Sequence, residues 1–196
     1  MVKREWSDLN VNLVIGCFNG CWYCYGRRLA KWANKFRRPH CKLCNEFIPH
    51  PHFENLDKLT PKQKSKFVFL DGHFDWNGKG VKKRWLETIL DKTKECPQHT
   101  YVLLSKFPQR YSRLTYPRNI VLGATVTCEG PDTSKEMTEH PTKLKDLWRI
   151  AALRKLKSNR KAISFEPLLG PLPETKTRKA TNNSDFTFAN INFQSL

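Results

Sequence analysis

Cys17, Cys21 and Cys24 fall inside eight residues as C-x3-C-x2-C, with Gly16 before them and Gly20 among them to shape the loop. Thiolates hold iron–sulfur clusters, and a four-iron cluster ordinarily takes four of them. Three from one short loop would leave one iron open to another ligand. Other readings stand beside this one. Structural zinc draws its cysteines from separated C-x2-4-C pairs completed by further ligands, a form the triplet does not have. A disulfide framework needs an oxidising compartment. A single cysteine is most often a small buried apolar residue, but three this densely packed argue against coincidence.

A second constellation follows. Cys41 and Cys44 form a C-x2-C knuckle, and His50 and His52 lie close enough downstream to complete a tetrahedral N2S2 site, for which zinc is the natural ion. Free thiols in a loop and an auxiliary iron–sulfur cluster are the alternatives. Cys96 and Cys128 stand alone and read as structural.

The triplet needs a strand to deliver it. The apolar run 11–15, bounded by Gly16, predicts one buried strand, and Tyr25, Leu29, Trp32 and Phe36 recur at helical spacing up to Pro39. Further strands are expected at 66–70, 100–104, 119–127 and 162–166. Helices are expected at 81–94 and around Leu144, Leu147, Trp148, Ala151 and Ala152. The stretch 186–193 alternates with period two, as a sixth strand or a loose tail would.

Short apolar strands alternating with helices argue for parallel βα units. Five or six of them make an α/β fold, an open, partial TIM-type barrel, the economical architecture. One domain is expected over 1–173, with the Cys/His insertion at about 37–55 and a polar, basic tail or last strand over 174–196. Such folds gather functional groups at the carboxyl ends of their strands. There stand the cysteine loop, the stretch from Asp71 through Gly72 and His73 to Asp75, Ser105 with Lys106, Thr127 to Glu129, and Glu166. An Asp-Gly-His turn is equally ordinary loop chemistry.

A chain of 196 residues with 39% hydrophobic content suits a single globular domain. It has no apolar stretch long enough for a membrane helix, and its opening lacks the apolar core of a signal peptide. A cytoplasmic location, where thiols stay reduced, is the expectation. The formal net charge of +17 favours a polyanionic partner such as nucleic acid. A lysine-rich surface that merely aids solubility is the alternative.

Several stretches together resemble a prokaryotic and phage-encoded family related to radical S-adenosylmethionine proteins of the spore photoproduct lyase type. They are Gly16-Cys17…Cys21…Cys24-Tyr25, the run from Leu103 to Arg110, Leu122-Gly123-Ala124-Thr125-Val126, and Ser164-Phe165-Glu166-Pro167-Leu168-Leu169-Gly170-Pro171, the most distinctive of the four. The likeness spans Trp6 to Pro173, and Tyr23 supplies the aromatic residue that the superfamily carries before its last cysteine.

The resemblance implies a 4Fe-4S cluster on Cys17, Cys21 and Cys24, its open iron chelated by the amino and carboxylate groups of S-adenosylmethionine. Reduction through an external donor of the flavodoxin or ferredoxin kind would cleave the sulfonium and yield a 5′-deoxyadenosyl radical, the hard chemistry belonging to the cofactor. It further implies that Asp71, Gly72 and His73 sit where the superfamily's glycine-rich motif meets the methionine amine, although the Gly-Gly-Glu form of that motif is absent. Ser105, Thr127 and Glu166 would then flank the cofactor across the strand ends. Relatives continue for one or more βα units beyond the Ser-Phe-Glu-Pro stretch, so a shortened, inactive copy is one alternative.

Two expectations result. In the first the chain is a radical enzyme that abstracts hydrogen from an unidentified substrate, a nucleic acid being the candidate. In the second it is a zinc-binding, basic module that contacts nucleic acid without catalysis.

Overall fold

The computed structural model describes residues 7–21, 23–35, 41–70, 72–127, 146–157, 160–165 and 186–189. Its strands are β1 (Leu9–Asn10), β2 (Val14–Ile15), β3 (His50–Pro51), β4 (Phe67–Phe69), β5 (Thr100–Ser105), β6 (Ile120–Val126), β7 (Arg160–Phe165) and β8 (Phe186–Ala189). The helices are α1 (Tyr25–Lys35), α2 (Lys42–Glu46), α3 (Lys83–Glu95) and α4 (Asp146–Arg154).

Six strands form one sheet in the order β1-β4-β5-β6-β7-β8, every neighbouring pair parallel. Spatial order therefore follows chain order. Parallel neighbours need a crossover between them. Helix α3 carries the chain from β4 to β5, a 3-10 turn at Pro108–Arg113 lies between β5 and β6, and α4 leads into β7.

Successive side chains of a strand point to opposite faces, and this sheet is buried on both, as parallel sheets usually are. Val68, Leu70, Tyr101, Leu103, Ile120 and Leu122 pack with Trp85, Leu86, Ile89 and Leu90 of α3 and with Leu153 of α4. The alternate residues Phe69, Val102, Leu104 and Val121 form a second cluster on the other face. Gly123 lies there because a Cβ at that position would come within 2.4 Å of Leu104 Cδ2 and 2.9 Å of the Leu103 carbonyl oxygen.

The run 11–15 is not the single strand its apolar character predicts. Leu9–Asn10 pairs with β4, and the Val11 amide still donates to the Phe69 carbonyl at 2.9 Å. The chain then changes partner, and Val14–Ile15 pairs antiparallel with His50–Pro51. Val11, Leu13 and Val14 are all fully buried, so the run has no alternation to mark where one partner gives way to the next. The period-two stretch at 186–193 contributes a sixth strand, β8, parallel to β7. Among the described residues no helix is long and apolar enough to cross a membrane.

Candidate metal centres at the carboxyl edge

The loop from Cys17 to Cys24 links β2 to α1, and backbone contacts fix its start. The Gly16 amide donates to the His73 carbonyl and the Cys17 amide to the Phe47 carbonyl, both at 3.1 Å. Gly16 has φ +96°, and a Cβ there would lie 2.4 Å from both the carbonyl carbon and the oxygen of Ile48. Both its backbone conformation and the lack of space require glycine.

Two sulfurs of the triplet accept backbone hydrogen bonds: the Asn19 amide donates to Cys17 Sγ at 3.4 Å and the Arg27 amide to Cys24 Sγ at 3.4 Å. Burial nevertheless pushes the Cys17 thiol up to about 12, Asp75 and the other two cysteines adding to the effect. Burial raises Cys21 as well, opposed by the Lys106 ammonium. Left alone, Cys17 and Cys21 are held neutral at ordinary pH, whereas a coordinated metal ionises a thiol outright.

Asp75 holds the loop to the strand ends. Its carboxylate, 7% exposed, accepts from Asn19 Nδ2 (2.9 Å), the Asn77 amide (3.0 Å), Ser105 Oγ (2.6 Å) and the Lys106 amide (2.9 Å). Elements distant in the chain thus share one buried anion. Lys106 Nζ lies 5.3 Å from the centre of the Tyr23 ring. Burial pulls the Lys106 ammonium down, yet the neighbouring Tyr23 and Cys21 outweigh it and leave the group raised. Arg149 of α4, 2% exposed, donates to the Thr125 carbonyl at 2.9 Å and acts electrostatically on both Lys106 and Tyr23.

The expected strand-end residues divide. Ser105 is buried, and its hydroxyl is engaged, donating to Asp75 and accepting from the Phe107 amide. Thr127 is buried at the end of β6, and the His73 carbonyl anchors Gly16. Gly72 faces the side chains of Asn10 and Asn12, where a Cβ would lie 2.9 Å from Asn12 Oδ1. Those two amide oxygens and Ser164 Oγ are buried with no partner among the described residues. Asp71, Cys128, Glu129 and Glu166 lie outside the described residues. The sequence reading missed the organising role of Asp75 and the buried Arg149. Asn19, two residues after Cys17, is the one local hint of the first, and a basic residue on a helix gives none of the second.

Cys41, Cys44, His50 and His52 come together with all four ligand atoms within 4.8 Å of one another. Cys41 caps α2, its sulfur accepting from the Cys44 amide at 3.4 Å. His50 Nε2 lies 3.0 Å from Cys41 Sγ and 3.4 Å from Cys44 Sγ, and His52 Nε2 lies 3.2 Å from Cys44 Sγ. His50 Nδ1 sits 2.7 Å from the Ile48 carbonyl oxygen and His52 Nδ1 2.5 Å from a Glu54 carboxylate oxygen. Carbonyl and carboxylate only accept, so Nδ1 carries a proton in both rings, and in a neutral imidazole that leaves Nε2 as the lone pair a metal takes. Burial, with Cys41 alongside, pushes the Cys44 thiol up to about 12. This group could hold one metal ion, and the soft and borderline donors suit zinc.

No curated protein and no solved structure matches this sequence. A family model described as a protein of unknown function (DUF5131) matches residues 2–185. From Val2 almost to the last strand, the chain belongs to the DUF5131 family.

Proposed function

We propose that this chain is an iron–sulfur enzyme of the radical S-adenosylmethionine kind, built on a partial TIM-type barrel. The observation that carries the reading is the triplet itself: three thiols in one loop, two of them accepting backbone amide hydrogen bonds, at the carboxyl edge of a parallel sheet whose strands follow chain order. Hydrogen bonds to the sulfurs are one of the means by which proteins tune such clusters. A bound 4Fe-4S cluster would supply one-electron reduction of the sulfonium of S-adenosylmethionine. Cys17, Cys21 and Cys24 would hold it.

The chain's own contribution is placement and charge. Asp75 fixes the loop through Asn19, so the three sulfurs keep their position relative to β5. Lys106 puts a cation beside Cys21 that would offset the charge of bound thiolates, with Arg149 acting on Lys106 and Tyr23 behind it. Asn10, Asn12 and Ser164 offer buried polar atoms that a polar cofactor could engage. We place the protein in the reducing cytoplasm, drawing electrons from a flavodoxin- or ferredoxin-like donor, and the net charge of +17 favours a nucleic-acid substrate.

Anaerobic reconstitution with iron and sulfide, followed by reduction with S-adenosylmethionine present, should release 5′-deoxyadenosine. Intact S-adenosylmethionine after reduction of a fully loaded protein would overturn the enzymatic reading. A second reading, a zinc-bearing nucleic-acid module, is favoured by the four-ligand group and the charge. It requires zinc without iron, and DNA binding that weakens steeply with salt.

A further inference from the structure

We propose that Cys41, Cys44, His50 and His52 bind one zinc ion that serves as a brace, holding the Cys17–Cys24 loop in place from outside the sheet. The two Nε2 atoms stand 2.8 Å apart with both Nδ1 atoms already donating. Two lone pairs that close repel unless a proton or a metal ion lies between them, and the sulfurs of Cys41 and Cys44 beside them complete a metal's ligand set. Tetrahedral zinc, with Zn–N of about 2.0–2.1 Å and Zn–S of about 2.3 Å, sets its ligand atoms roughly 3.3–3.8 Å apart. The Cys–His and His–His separations above, 2.8 to 3.4 Å, are slightly contracted around that arrangement, and a small outward shift accommodates the ion.

The brace has a direct path to the triplet. His50 pairs in register with Ile15, two residues before Cys17, and the His52 amide donates to the Leu13 carbonyl at 2.8 Å. The Ile48 carbonyl is the joint: His50 Nδ1 donates to it, and the same group leaves no room for a side chain at Gly16. One residue earlier, Phe47 sits at φ 56° at the end of α2 and accepts the Cys17 amide. On the helix side, Arg27 of α1 stacks over the Phe47 ring at 5.2 Å.

Nothing in this segment is stable by itself. Helix α2 has five residues, and β2 and β3 have two each. A helix that short does not persist in water, and neither does an isolated two-stranded pairing. Metal binding can supply the missing folding free energy directly. The coupling holds whatever the triplet itself binds, so its failure and that of the enzymatic reading are separate results.

The test uses the full chain, free of iron, with zinc measured by mass spectrometry. Alkylation rates of Cys17, Cys21 and Cys24 are followed by peptide mapping before chelation, after it, and after zinc is restored. Cys96, buried in the main core, reports on global unfolding. The expected result is one zinc per chain, with chelation speeding alkylation of the triplet by about tenfold or more through local opening. Cys96 stays slow, and zinc restores protection. Gly16→Ala should retain zinc yet leave the triplet reactive in its presence, because the joint is broken while the ligands remain. Zinc well below one per chain, triplet rates unchanged by chelation, or Cys96 accelerating in parallel would each overturn the brace.

Discussion

Asn19 Nδ2 donates to Asp75 Oδ2 at 2.9 Å although 56 residues separate the two in the chain. With Ser105 and two backbone amides on the same carboxylate, this bond ties the cysteine loop to the ends of β4 and β5. Asp75→Ala leaves these buried donors without an acceptor. At roughly 1–3 kcal/mol for an unmet buried polar group, partly relieved by water, the variant should lose about 2–4 kcal/mol in urea denaturation. Asp75→Asn should lose nearly as much, because its amide nitrogen faces donors. A loss below about 1 kcal/mol in both would show that the carboxylate is not the organiser.

Gly123→Ala tests the packing of the sheet's second face. The added methyl meets Leu104 Cδ2, which can move, and the Leu103 carbonyl, which cannot. Destabilisation of about 1–3 kcal/mol is expected, as for other overpacked cores. Leu104→Ala in the same chain should relieve only the side-chain part of the clash, so a thermal-melt double-mutant cycle should report partial, incomplete rescue.

His99 gives the fold a pH dependence of defined sign. It is 1% exposed, its Nδ1 accepts from the Lys66 amide, and burial, with the Lys66 ammonium adding, lowers it from its ordinary 6.5. The folded state resists the proton that the unfolded chain accepts. The stability this provides is complete above about pH 6.5 and is lost as pH falls through the folded value. Urea midpoints should therefore drop between pH 7.5 and 5.5, and the drop should shrink in His99→Gln.

Glu54 orients His52 from the solvent side of the four-ligand centre. Glu54→Gln should keep the fold and weaken zinc affinity by about 10–100-fold, the usual cost of losing an outer partner of a metal-bound histidine. Competition against a chelating dye reads this directly.

Much of this arrangement was legible beforehand, for physical reasons. Strands β4, β5 and β6 are largely apolar and β7 carries Ala162, Ile163 and Phe165, as a sheet buried on both faces needs, and the spacing of Cys41, Cys44, His50 and His52 declares the four-ligand group. The partner change after Val11 was hidden, because Val11, Leu13 and Val14 are buried in every pairing the run could adopt. Asp75 was indistinguishable from other acids of its turn, for only the fold brings Asn19, Ser105 and Lys106 to it. The burial of Arg149 depends on where α4 crosses β6, which no local pattern encodes.

The central claim is that Cys17, Cys21 and Cys24 together hold a four-iron cluster. Iron and acid-labile sulfide should be counted after anaerobic reconstitution, in the wild type and in a chain with all three cysteines changed to alanine. The account predicts about four of each per wild-type chain, and neither in the variant, with zinc unchanged in both. A wild type free of iron and sulfide, or a variant that loads them equally, would contradict it.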